Sequence, residues 1–364
     1  MISPNTPYNN LPLLPPRLDY DDPAILKLVN KANIALSKLN GQTTSTFSNF
    51  SNAMLLAKTF SVREAVDSSG VENVITTVRE ALESRALPVD EMTAAEKETN
   101  MYTRATYGGS DILRKKGYLA TNDFIKIQKL LGLADSGIRK NRGYVIANEK
   151  TKEIYYTPPE GEKLIRDLLM DLENYFNDKD EDPDALIKMA ILHYQFEAIH
   201  PFPDGNGRTG RILMALYLMA QDRLDYPVLF LSDYILNHRD EYYQRLRDVT
   251  YESKWSEWIT YMLNAVIEQA NKTAQALTNI LALSLRYEKK LPKEIPAFST
   301  AALIGFLFTK AVFTREQMAA ELDVHVNTAS KYLNLLVKAK LISYKKHKNT
   351  KVFFIPEFVT ILTK

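Results

Sequence analysis

Cysteine is absent from the 364 residues of this chain. That excludes disulfides, thiolate metal sites and cysteine nucleophiles, and leaves histidine, carboxylates and hydroxyls to carry any chemistry. Neither sign of charge dominates: 46 lysines and arginines face 44 aspartates and glutamates, a formal net charge of +2. Attraction to a polyanion must therefore come from local patches. No apolar run approaches the roughly 18 residues that a membrane span requires. The start, MISPNTPYNNLPLLPP, has neither a basic stretch nor a continuous apolar segment of the kind that directs secretion. These absences point to a cytoplasmic protein with no membrane partner. What is present, 45% hydrophobic residues, suffices for a large core and two or three domains.

Helical patterning dominates. After a proline-rich lead to about Arg17, Pro23 to Leu39 place Ile25, Leu26, Leu28, Val29, Ala32 and Leu36 at helical spacing. A loop is expected over 41–51, then helices over 53–66 and 71–87 separated by a turn at Asp67-Ser68-Ser69-Gly70. An amphipathic stretch spans Thr121 to Leu131. β-Rich runs over 143–157, flanking 148–151 and closed by Pro158-Pro159, predict a hairpin. Helices resume over 160–176 and 185–199, the latter apolar around most of its circumference and therefore buried, like Ile212 to Ala220 beyond it. One amphipathic helix from Ser232 to about Val249 follows, and another, anchored by Trp255 and Trp258, to about Leu283. Pro292 and Pro296 mark a linker. Helical segments at 299–308, 314–322 and 326–339, with β-rich runs around a basic stretch at 345–349, outline a winged helix-turn-helix. The expected fold is mainly α in three regions: N-terminal helices over 1–105, a core over 106–285 and a tail over 286–364.

Between the two buried helices lies IHPFPDGNGRTGR, residues 199–211. Its charges cannot be buried unpaired, so the segment must open to solvent or ligand at one end. Gly205, Gly207 and Gly210 allow tight turning and close approach, and the loop leads into a helix N-terminus, a ready anion site. Arg208 and Arg211, three apart, share one face of the first turn, where two guanidinium groups can grip a polyphosphate. Asp204, a lone carboxylate beside them, suits Mg²⁺ bridging phosphate oxygens. His200 can be neutral at cellular pH and accept a proton from a hydroxyl nucleophile.

Read from His200 through Phe202, Asp204, Gly205, Asn206, Gly207 and Arg208 to Arg211, the segment fits HxFx(D/E)GNGRxxR at every defined position. The chain thereby resembles Fic-domain proteins, most of which, when they carry this signature, are protein adenylyltransferases. The resemblance implies a Fic-type helical core and transfer of AMP from ATP to a Ser, Thr or Tyr hydroxyl, with release of pyrophosphate. It makes His200 the general base, Phe202 a core anchor and Asp204 the Mg²⁺ ligand. Gly205 to Arg211, Thr209 and Gly210 included, become the ATP-binding stretch, with Asn206 and Arg208 on the α- and β-phosphates and Arg211 on the γ-phosphate. In relatives that act as kinases a lysine replaces Gly207, so glycine here favours nucleotidyl transfer.

The resemblance reaches further segments. The hairpin at 143–157 takes the place of the family's flap, which holds a target protein by strand addition. Tyr243 lies where relatives set an aromatic against adenine, although Thr250 stands where some carry asparagine seven residues on. Ser68 to Asn73 fits the [S/T]xxxE[G/N] pattern of an inhibitory helix, implying that Glu72 pairs with Arg211 and displaces the γ-phosphate. In the tail, Asn327, Thr328, Ser330 and Lys331 are candidate outward residues of a recognition helix. Lys338, Lys340, Lys345, Lys346, Lys348 and Lys351 supply a local positive field for DNA. Winged helices equally serve protein contact or homodimerisation. Two rival readings stay open: removal of AMP by the same site, and a DNA-binding regulator whose Fic domain senses nucleotide.

Overall fold

The structure is a computed structural model that describes every residue except 1, 19, 51, 148–150, 181, 297, 348–349 and 364. Residues 148–150 of the expected turn at 148–151, and Lys348 of the basic wing, lie outside the described residues. Contacts group the chain into two compact units, one of residues 1–37 and 104–270, the other of residues 38–103 and 271–364. The second unit therefore joins most of the N-terminal region to the tail.

In chain order, α1 (Pro23–Phe47) is followed by α2 (Ala53–Phe60), α3 (Val62–Val71), α4 (Val78–Ser84), α5 (Ala94–Lys116) and α6 (Thr121–Leu130). Strands β1 (Ile146–Ala147) and β2 (Ile154–Tyr156) form the antiparallel hairpin, Ile146 opposite Tyr156 and Ala147 opposite Ile154. Then come α7 (Glu162–Asn177), α8 (Ala185–Ile199), α9 (Asn206–Ala220), α10 (Ser232–Asn237), α11 (Arg239–Glu252) and α12 (Trp255–Glu294). The tail runs α13 (Thr300–Lys310), β3 (Val312–Thr314), α14 (Arg315–Glu321), α15 (Val326–Lys338), β4 (Ser343–His347), β5 (Thr350–Phe354) and α16 (Pro356–Thr363). The fold is mainly helical, as expected. Among the described residues no helix is long and apolar enough to cross a membrane.

Four boundaries differ from the sequence reading, and at Thr43, Thr46, Ser68 and Ser69 burial outweighs local preference. Helix α1 runs through the expected loop: Thr43 and Thr46 are buried, Phe47 anchors the end, and the Thr43 hydroxyl donates to the Leu39 carbonyl at 2.8 Å. Asp67 to Gly70 are not a turn but the end of α3, with Ser68 and Ser69 fully buried; the chain breaks instead at Ser61 and after Val71. The helix expected from Ser232 to Val249 is split at His238, whose ring stacks on Tyr234 at 4.1 Å. Pro292 lies inside α12 rather than in a linker. It lies two residues before the helix ends, and Leu291 and Ile295 are buried on either side. Strand β3 and helix α16, too short to signal themselves, were not expected.

In the first unit, α8 is buried along nearly its whole length and packs on α9. Gly210 sits at their closest approach: a Cβ there would lie 2.3 Å from Glu197 Oε1 and 3.1 Å from Phe196 Cδ1. Lys188, buried on α8, donates to Asp178 Oδ2 at 2.8 Å and to the Asp180 carbonyl at 2.7 Å, so its charge is paired.

In the second unit, the sheet has the order β3-β5-β4, with Phe313 opposite Phe353 and Tyr344 opposite Phe353 from the other side. Thr314 starts α14 with a capping box to Gln317. The N-terminal helices pack on this tail: Thr59 Oγ1 donates to the Thr309 carbonyl at 2.5 Å, and the Phe50 and Phe308 rings meet at 5.8 Å. Lys345 Nζ lies 2.9 Å from Glu83 Oε2, His347 Nε2 lies 3.4 Å from Glu91 Oε2, and the Arg79 guanidinium covers Phe354 at 5.7 Å.

Candidate active site

A helix end leaves carbonyls that need donors. Helix α8 stops at His200, which takes the left-handed conformation (φ 49°, ψ 58°) while its N–H still donates to the Phe196 carbonyl at 3.0 Å. A histidine held there stores strain that its surroundings must fix. Arg139 does so. Its Nε donates to the His200 carbonyl at 2.7 Å, and one terminal nitrogen, Nη2, donates to the Ile199 carbonyl at 3.2 Å and to the Pro159 carbonyl. Its backbone N–H adds a bond to the Pro201 carbonyl at 2.9 Å. The side chain is fully buried, and burial pushes its pKa below the usual guanidinium range, with Tyr144 and Glu160 pulling the other way.

The next residues fold onto that fixed point. Phe202 is completely buried, and the Asn206 carboxamide staples it: the Phe202 N–H donates to Oδ1 at 2.8 Å and Nδ2 donates to the Phe202 carbonyl at 2.8 Å. Gly205, at φ 81°, caps α9, and a Cβ there would lie 2.5 Å from Leu133 Cδ1, so only glycine fits. Gln128 holds the loop from beneath, donating to the Asp204 carbonyl at 3.1 Å and accepting from the Gly137 N–H. Helix α9 starts at Asn206, with half-buried Gly207 in its first turn. The Thr209 hydroxyl is spent on the Gly205 carbonyl at 2.7 Å. Arg208 and Arg211 are both buried, and Arg208 reaches Asp204 Oδ1 at 3.0 Å. The Asp204 carboxylate is 61% exposed. Among the described residues its hydrogen bonds, from Gly205 N–H and Arg208, both fall on Oδ1.

Around this junction stand the flap and α11. Tyr156 Oη donates to the Ala198 carbonyl at 2.9 Å, tying β2 to the end of α8, and Tyr251 Oη donates to the Tyr155 carbonyl at 2.6 Å. The Arg247 guanidinium covers the Tyr155 ring at 4.9 Å. The lead segment braces the same place, Tyr8 N–H donating to the Thr157 carbonyl at 3.0 Å and Gln195 Nε2 to the Pro12 carbonyl at 2.8 Å. Tyr243 is half-buried on α11, its ring 5.1 Å from Tyr242 and covered by Arg239 at 5.7 Å. Thr250 Oγ1 donates to the Leu246 carbonyl and meets Tyr194 Oη, both at 3.0 Å.

Sequence profiles of the Fic/DOC family match residues 118–218, and those of the family's N-terminal region match residues 26–111. The chain belongs to the Fic/DOC family. Protein adenylyltransferase fic-1 of Caenorhabditis elegans is 35% identical over 101 residues, 27% of this chain and 18% of that protein. Protein adenylyltransferase Fic of Nematostella vectensis is 30% identical over 154 residues, covering 40% and 32%. The matched part spans about a third or less of these curated relatives. Among solved structures, a Fic family protein from Desulfovibrio desulfuricans G20 superposes with a TM-score of 0.58 at 19% identity, over 94% of this chain and 98% of that one. Caenorhabditis elegans Fic-1 gives 0.51 at 18% identity, over 70% and 74%. At such identities the likeness is one of fold.

Within this Fic fold, the first unit gathers His200, Asp204 to Arg211, the flap strands and α11 with Tyr243. Glu72 and Ser68 belong to the second unit, where their local geometry is well defined. Glu72 caps α3, Asn73 follows in the left-handed conformation (φ 64°), Asn73 N–H donates to the Gly70 carbonyl and Val74 N–H to the Ser69 carbonyl, both at 3.0 Å. This paired turn explains why the pattern ends in glycine or asparagine: only those residues enter the left-handed region cheaply. Arg139, Gln128 and the lead segment are Fic site supports that sequence reading missed. Arg139 stands among Lys140 and Arg142, and nothing in the local sequence separates the buried cation from its exposed neighbours.

Proposed function

We propose that this chain is a protein adenylyltransferase that moves AMP from ATP to a Ser, Thr or Tyr hydroxyl of a target protein. The observation that carries this is the α8–α9 junction, where a strained, braced histidine leads into a helix start bearing two buried arginines. In the reaction His200 takes the proton of the target hydroxyl, whose oxygen forms a bond to the α-phosphorus. The bond from that phosphorus to the β-phosphate bridging oxygen breaks, and pyrophosphate leaves. Gly205 to Gly207 present the helix N-terminus to the phosphates, and Arg208 and Arg211 stabilise charge that grows on the transferring and leaving groups. The Asn206 carboxamide is committed to Phe202, so its contribution is to shape the loop, with its backbone facing phosphate. Catalysis is mostly positioning and charge stabilisation.

Asp204 fits Mg²⁺: the ion takes one or two carboxylates plus substrate oxygens, and this carboxylate is exposed at the mouth of the loop with its bonds on one oxygen. Among the described residues no three His, Asp or Glu side chains form a cluster that could hold an ion without substrate. The ion would neutralise phosphate charge as pyrophosphate leaves.

The flap, anchored at Tyr156 and Tyr155 but with its strands half-exposed, serves to hold the target segment. Glu72 acts as an inhibitory carboxylate that competes with the γ-phosphate for Arg211; the sequence pattern and the fixed turn at Asn73 support this. The tail supports the winged-helix reading through its sheet order and its α14–α15 pair, with Asn327 and Lys331 exposed. Because Lys345 and His347 face Glu83 and Glu91, the wing reads better as a module that docks on its own N-terminal helices than as a DNA contact. A mobility shift with random duplex at low salt tests that assignment, and tight salt-sensitive binding would reverse it. The enzymatic reading is tested by mass spectrometry of the Glu72→Gly variant incubated with ATP, Mg²⁺ and cell extract. AMP adducts on hydroxyl residues support it, and phosphate adducts would replace it with a kinase.

A further inference from the structure

His193 takes no part in the chemistry above, yet it is fully enclosed on α8, two turns before His200. Its Nε2 lies 2.9 Å from Tyr242 Oη, its ring stacks on Trp258 with centroids 6.0 Å apart and planes at 19°, and Trp258 is pinned by its Nε1 donating to the Ala190 carbonyl at 2.8 Å. On the other side its Cε1 stands 3.3 Å from where a Cβ on Gly210 would be. One imidazole thus touches the turn of α9 that carries Arg211 and the residue of α11 that precedes Tyr243.

We propose that His193 is a positioning residue that fixes the spacing between the phosphate-binding turn of α9 and the base-binding face of α11, so that both ends of one ATP molecule are met at once. The inference rests on the nucleotide reading of those two elements. Burial, first, and the Arg211 cation push the imidazole pKa down to about 3, so the ring stays neutral; a Gly210 backbone contact pulls weakly the other way. A neutral imidazole has one N–H. With Nε2 unprotonated it accepts from the Tyr242 hydroxyl, so the ring is bonded to α11 while its Cε1 edge packs against Gly210 of α9. A residue of this kind leaves each half-site intact and sets only how well the two act together, as a linker of fixed length sets the joint binding of two modules.

Isothermal titration of the full chain with MgATP, inorganic tripolyphosphate and adenosine separates these contributions. Tyr242→Phe keeps the ring and deletes the bond, so it guards against the chance that His193→Leu fails to fold. The expected result is ATP binding weakened about five- to tenfold in Tyr242→Phe, the scale of one buried hydrogen bond, with tripolyphosphate binding unchanged. In turnover, KM for ATP rises by the same factor while kcat holds. Unchanged ATP binding in Tyr242→Phe, or an equal loss for tripolyphosphate, overturns the positioning role. A parent chain that binds neither ATP nor tripolyphosphate instead sinks the nucleotide reading, and the proposal with it.

Discussion

Arg139 and His200, 61 residues apart, are joined by a 2.7 Å hydrogen bond from the guanidinium Nε to the histidine carbonyl. The cation closes the end of α8 and fixes His200 in the left-handed conformation, where glycine or asparagine is the usual occupant. Lysine cannot reproduce a fork that serves the carbonyls of Pro159, Ile199 and His200 together. Arg139→Lys should lower stability by about 2–4 kcal/mol, since buried acceptors lose their donor, and should reduce AMP transfer at least about tenfold. Denaturant unfolding and labelled transfer check the two parts.

Gly210 is the point where α8 and α9 meet. In Gly210→Ala the new Cβ would lie 2.3 Å from Glu197 Oε1 and 3.1 Å from the packed Phe196 ring, so the neighbours must shift. A loss of about 1–3 kcal/mol is expected, read as a lower denaturant midpoint at unchanged slope.

Asn73 at φ 64° should accept glycine without loss. Asn73→Val should cost about 1–2 kcal/mol locally, since a β-branched residue resists the left-handed region. By loosening the turn that presents Glu72, the same change should raise AMP transfer, whereas Asn73→Gly should leave it near the parent level.

The junction was legible because its chemistry is written in contiguous residues, His200 to Arg211, and because the apolar runs of α8 and α9 announce buried helices on both sides. The flap's strands and α15 were equally plain from periodicity. What sequence hid was held by distance. Arg139 acts across 61 residues, and Thr43 and Pro292 stay helical because of what surrounds them, against their own preference. The turn expected at Asp67 to Gly70 followed small polar residues that normally end helices, yet here Ser68 and Ser69 are buried and the stop comes three residues later, at Asn73.

His193 gives the fold a pH dependence of known sign. Its folded pKa of about 3 lies below the unfolded value near 6.5, so between those values the unfolded chain binds the proton that the folded chain refuses. Its contribution is present above about pH 6.5 and is lost as pH falls, at up to about 1.4 kcal/mol per unit. Thermal unfolding from pH 7 to 5 should fall more steeply for the parent than for His193→Gln, and parallel curves would reject the assignment.

The most direct measurement compares ATP labelled at the α-phosphate with ATP labelled at the γ-phosphate, using the parent chain, Glu72→Gly and His200→Ala with Mg²⁺. The expected result is protein labelled from the α-phosphate alone, more strongly in Glu72→Gly than in the parent and not at all in His200→Ala. Label arriving from the γ-phosphate, or α-label that survives in His200→Ala, would contradict adenylyl transfer by this site.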